Sequence, residues 1–173
     1  RNTGATYTGN GPAGGGVWNG VPGPSVRGGG SSGPLVNSDG QATCVTFSTT
    51  LPGGPYTADV GNALLNDYLF SNFDAQNHQF VITISGLTPG QRYDLYLFGT
   101  ERTGPNTGSE FRVGGETKAT TGHQNADPNT FVAGQDYVVF ASIAPSTSGQ
   151  IAVDIGVVDF ADRFNGFQIK ESV

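Results

Sequence analysis

The stretch over residues 80–99, FVITISGLTPGQRYDLYLFG, constrains this chain more than any other. Phe80, Ile82 and Ile84 alternate with Val81 and Thr83, and a side-chain period of two puts them on one face of a β-strand. Ser85-Gly86 and Thr88-Pro89-Gly90 interrupt the run. Pro89 presets φ and Gly90 admits a positive φ, which fits a tight turn, with Leu87 as a plug for the core. The strand that follows carries Tyr93, Leu95 and Leu97 on one face and Asp94, Tyr96 and Phe98 on the other. Apolar groups on both sides mark a central strand whose outer face is roofed or presents a ligand surface.

Other segments repeat the pattern. Residues 42–47, 110–113, 135–143 and 151–155 alternate, and Gly114-Gly115 suits a hairpin turn that lets 116–120 answer 110–113. A short strand is expected near residues 6–8, and Phe167 and Ile169 seed a closing strand expected to pair with it. Asn37-Ser38-Asp39-Gly40 reads as a turn with Gly40 left-handed. Residues 59–70 hold the one credible helix, capped by Asn62 with Leu64, Leu65 and Tyr68 on one side; a loop with a 3₁₀ turn is the alternative. The fold class is therefore all-β, an antiparallel two-sheet β-sandwich over residues 35–173, with at most one short helix. Residues 1–34 form a glycine-rich N-terminal coat on that single domain. Trp18, too apolar for a linker, either pins the coat to the core or projects into a site.

A chain of 173 residues suits one domain. Its twenty-eight glycines and ten prolines follow no three-residue period, which excludes collagen and leaves a turn-rich β domain. The formal charge is −6, and the basic residues stand singly. Tracking phosphates needs clustered cations, so no nucleic-acid partner is expected, nor an anionic membrane surface. With no apolar span near twenty residues, membrane insertion is not expected either. Cys44, the lone cysteine, alternates with Thr43 and Val45 and is expected to be a small buried side chain. A start at Arg1 without Met or leader reads as a mature product or an excised module. The scarcity of Lys and the excess of Thr, Ser, Asn and Gly lean toward a secreted, extracellular protein.

The order of segments FVITISGLTPGQRYDLYLFG (80–99), FVAGQDYVVF (131–140) and FNGFQI (164–169) resembles the galactose-binding-like jelly-roll domains of secreted bacterial proteins that act on polysaccharides, with malectin-type and other carbohydrate-binding modules in the same broad architecture. The resemblance implies glycan binding through rim loops or a concave sheet face, often with a structural calcium. Asp39, Asp59, Asp67, Asp154, Asp159 and Asp162 are available to calcium only as singles, with no DxDxDG run, and no ligand set stands out.

Sugar recognition needs flat apolar rings for pyranose C–H groups and planar polar groups for hydroxyls. Tyr96 and Phe98 are the strand candidates for stacking, the alternative being that their face is the core. Trp18, Tyr56 and Tyr68 are the loop or helix candidates. Glu101 and Arg102 follow the aromatic strand, where an Arg fork and a carboxylate could hold hydroxyls or a uronate; the alternative is a solvated ion pair with Glu110 or Arg112. Asp159, Asp162, Arg163 and Asn165 form a second polar cluster, or a turn built on Asp and Asn side chains. His78 and His123 lie in no metal-spaced motif, and no GxSxG elbow occurs. The expectation is a non-catalytic module that binds a polysaccharide or oligosaccharide. The rivals are a glycoside hydrolase or lyase using Glu101 or Glu110, and a structural or adhesive surface module.

Overall fold

The inward alternation read from Phe80, Ile82 and Ile84 is realised in the computed structural model, which describes residues 6–21, 29–50, 54–57, 61–71, 80–101, 104–157 and 162–173. Among them the chain forms β1 (Tyr7–Gly9), β2 (Gly16–Trp18), β3 (Gly30–Ser31), β4 (Thr46–Thr49), β5 (Gly54–Thr57), α1 (Ala63–Asn66) and β6 (Asp67–Phe70). There follow β7 (Phe80–Ser85), β8 (Tyr93–Phe98), β9 (Ser109–Val113), β10 (Glu116–Ala119), β11 (Tyr137–Ile143), β12 (Ile151–Val157) and β13 (Gly166–Glu171).

Two antiparallel sheets make the sandwich. The larger has the order β10-β9-β12-β7-β4-β3 and the smaller the order β11-β8-β13. Phe47, Phe80, Ile82, Ile84, Phe111, Val113, Ile151, Val153 and Ile155 from the larger sheet meet Tyr93, Leu95, Leu97, Val138 and Phe140 from the smaller in one buried cluster. Each such side chain leaves water on folding, worth about 1.5–3 kcal/mol apiece. The other face of the larger sheet is polar, with Arg112 directly opposite Asp154 across β9 and β12.

The turn after β7 does not make a hairpin. β7 and β8 lie in opposite sheets, so residues 86–92 arch over the end of the sandwich with Leu87 buried beneath them as the expected plug. Gly86 is required there: its φ is +84° and a Cβ would lie 2.0 Å from the Cys44 carbonyl oxygen.

The closing strand also differs from expectation. β13 pairs with β8 and not with the N-terminal strand, which instead forms the β1–β2 hairpin. Asn62 does cap a helix, accepting from Leu64 N at 2.9 Å and Leu65 N at 3.4 Å, but α1 is a single turn. From Asp67 the chain is strand, paired with β5 and bridged at Leu69 to Phe164, so tertiary pairing overrides the helical spacing of Leu64, Leu65, Tyr68 and Leu69. Cys44 is exposed, contrary to expectation. Thr43 binds the Leu35 carbonyl and Val45 packs on the core, so the alternation turns Cys44 outward. Among the described residues no helix is long and apolar enough to cross a membrane.

Candidate functional site

Leu95 and Leu97 take the core side of β8, so Tyr96 and Phe98 stand on the outward face of the smaller sheet. That face is half roofed. Trp18 from β2, Leu64 and Leu65 from α1, and Phe131 close over Phe98 as a second apolar cluster. Trp18 meets Phe98 edge-on at 6.0 Å, Phe131 does so at 5.5 Å, and Tyr7 lies parallel to Trp18 at 6.2 Å. Phe98 is 0 % exposed, Trp18 9 % and Tyr68 5 %. Phe98 is therefore enclosed by the N-terminal hairpin and α1 and offers no face to a sugar, whereas Trp18 and Tyr68 are largely buried and reach only the wall of a cleft along β13.

Tyr96 is different. It remains half-buried, one step along β8 beyond the roof, and tilts against the half-buried Tyr137 of β11 with centroids 6.0 Å apart. Tyr137 lies opposite Phe98 in the β8–β11 register, and Val139 opposite Tyr96, so the two phenols are diagonal neighbours on one surface. The Tyr137 hydroxyl is held above the usual phenol range, first by partial burial, then by Tyr96 and the Asp136 carboxylate. Lys170 lays its Nζ over the Tyr96 ring, 5.7 Å from the centroid. Asp94, two residues before Tyr96, accepts from the Ser172 hydroxyl at 2.6 Å and Ser142 N at 2.9 Å. Those bonds hold its carboxyl below the ordinary range. Tyr137 was not singled out from sequence, although its placement in an alternating strand was the available signal.

The polar rim beyond Phe98 is structural. Glu101 pairs with Arg163 and not with Glu110 or Arg112, which pair with each other at 3.1 Å. Arg163 is buried, also donates to the Gly108 carbonyl at 3.0 Å, and fixes the Glu101 carboxylate where a ligand would have to displace it. Asn165 accepts from Thr100 N at 2.7 Å and donates to the carbonyls of Leu65 and Asp67 at 3.0 and 3.1 Å. The buried Asp162 accepts from Ser71 N. Asp162, Arg163 and Asn165 thus fasten the layers to one another across long sequence separations, and not as the local turn that was the alternative for this cluster. His123 and Asp136 form a buried pair, Nδ1 to Oδ1 at 2.6 Å, and the second Asp136 oxygen accepts from Val132 N at 2.7 Å.

Arg102, His78, Asp59 and Asp159 lie outside the described residues. Tyr56 sits on β5 opposite Tyr68, its side chain likewise outside them. Among the described residues no three His, Cys, Asp or Glu side chains gather as metal ligands.

Beside this surface a cleft of about 620 Å³ runs along β13. Tyr7 and Trp18 line it with Asn19, Val21, Leu35, Phe47, Asp67 and β13 itself. Its amides are already engaged: Asn19 exchanges two 2.8 Å bonds with the Val36 backbone, and Gln168 binds Ala13 N and Gly14 O. The Tyr7 hydroxyl is pushed up to about 12 by burial and by the nearby Asp67 carboxylate. No family model matches the chain, and no curated protein or solved structure matches it either.

Proposed function

We propose that this chain is a non-catalytic carbohydrate-binding module of a secreted bacterial protein, holding a polysaccharide on the outward face of its smaller sheet. The observation that carries the reading is the half-buried pair Tyr96 and Tyr137, two adjacent rings on one sheet face, with the mobile Lys170 side chain over Tyr96 and Asp94 two residues along the strand. A pyranose presents an apolar C–H face and an equatorial girdle of hydroxyls. Ring faces take the first, and the phenols, the ammonium and the carboxylate take the second. The likeness of residues 80–99, 131–140 and 164–169 to galactose-binding-like jelly rolls supports the same reading.

The carboxylates that a hydrolase would draw on favour binding over catalysis, since Glu101 is tied to Arg163 and Glu110 to Arg112. A panel of neutral and uronate polysaccharides tests the proposal. Retention of at least one, lost by about tenfold or more in Tyr96→Ala and in Tyr137→Ala, supports it. No new reducing or unsaturated ends should form. Retention indifferent to both substitutions, or silence across the panel, would overturn it.

A further inference from the structure

The smaller sheet ends on β13; β6 meets the chain just before it, where Leu69 and Phe164 exchange backbone bonds at 2.8 and 2.9 Å, and from Gly166 onward no strand pairs with that edge among the described residues. Ser172 N donates to the carbonyl of Arg92, the residue directly opposite it when the β8–β13 register is continued. In an antiparallel pair such bonded positions alternate, so Gly166, Gln168 and Lys170 face β8 through their backbone groups. Phe167 and Ile169 aim their N–H and C=O the other way, into the cleft that both residues line. None of the described residues bonds to those four groups.

Half-enclosed backbone groups at strand spacing want a strand. The opposite wall does not supply one, because its bonds are spent: Val17 N reaches the Ser38 carbonyl at 2.8 Å and Asn19 binds Val36 on both its N–H and C=O. Facing the gap are Val21, Leu35, Val45, Phe167 and Ile169, the half-buried apolar side chains packed at this flank of the core. A hydrocarbon would cover them and leave the four backbone groups unpaired. A sugar chain would offer hydroxyls, but not donors and acceptors at the repeat of a strand. The wall also keeps a second sheet edge at a distance, so the fitting occupant is a single extended segment.

The geometry points to a peptide slot: β13 takes up the C-terminal segment of a partner polypeptide as an added strand, apolar side chains turned onto Leu35 and Val45 and the terminal carboxylate beside Lys170. From Gly166 to Lys170 is about 14 Å of strand, room for four or so extended residues at about 3.4 Å each. Charge sets the direction. Lys170 is the cation of the lining, at the exposed end of the strand, and Asp67 the carboxylate among its lining residues, so the incoming C-terminus points along β13. Main-chain bonds supply affinity and the aliphatic walls select small branched side chains. This site shares Lys170 with the Tyr96 and Tyr137 surface, but its backbone groups lie on the strand edge and it does not rest on glycan binding.

The test uses the full chain and a fluorescein-labelled peptide, Val-Thr-Val-Thr-Val, with a free carboxylate. Saturable polarisation is expected. Methylating the peptide's backbone nitrogens at one set of alternate residues should weaken it by tenfold or more, whereas methylating the other set should leave it within about threefold. C-terminal amidation, or Lys170→Gln, should each cost about two- to fivefold. Absence of saturable binding, or equal tolerance of the two methylation patterns, overturns the proposal. Glycan retention is read in a separate assay, so either site can fail while the other stands.

Discussion

Replacing Asn165 by alanine removes the side chain that joins the second aromatic layer to the sandwich. Its amide makes three bonds: one from Thr100 N, which is fully buried, and two to carbonyls at the end of α1 and the start of β6. A one-turn helix leaves its carbonyls in need of partners, and Asn165 provides for Leu65 there. Neutral bonds are each worth about 1 kcal/mol net, and the orphaned Thr100 N–H adds desolvation, so the loss comes to about 3 kcal/mol. For a chain of this length that lowers Tm by about 6–12 °C. Asn165→Asp should be at least as damaging. It keeps the acceptor for Thr100 N but sets a carboxylate oxygen against two carbonyl oxygens. Thermal unfolding followed by far-UV circular dichroism and by the fluorescence of Trp18, the single tryptophan, measures both variants. An Asp variant as stable as the parent, or an Ala variant within about 2 °C, would refute this account of how the layers are joined.

Two further outcomes follow from the same contacts. Glu101→Gln removes the carboxylate that pairs with the buried Arg163 and should cost about 2 kcal/mol, less than a fully buried pair because Glu101 keeps some water; glycan retention should be unchanged, checked by denaturant unfolding beside the polysaccharide panel. Tyr7 has its folded-state value raised from 10.0 to about 12, so its neutral form is favoured by folding. Its share of stability is whole below pH 10 and is lost as pH rises through 12, on the order of 2 kcal/mol, and Tyr7→Phe should flatten the alkaline fall in Trp18 fluorescence midpoints between those values.

What the sequence made legible was local. Phe80, Ile82 and Ile84 announced an inward face, Asn62 a cap, Gly114-Gly115 a hairpin and Leu87 a plug, because each depends on neighbours within a few residues. The larger arrangement was not. Residues 86–92 have the turn chemistry of a hairpin, and nothing in Pro89 or Gly90 says whether the chain returns in the same sheet or crosses to the other. Phe98 and Tyr96 read alike along the strand. Only the folding of Trp18, Leu64 and Phe131 over one of them separates an enclosed ring from a half-open one. Glu101 finds Arg163 across sixty-two positions, a partner that spacing could not nominate.

The central claim is that sugar rings settle on Tyr96 and Tyr137, and its most direct measurement is a 1H–15N correlation spectrum recorded while a retained oligosaccharide is added. Shifts should concentrate on the amides of Tyr96, Tyr137, Val139 and Lys170, and vanish in Tyr96→Ala. Shifts confined to the larger sheet's outer face, or a spectrum that does not move with a ligand the chain retains, would contradict it.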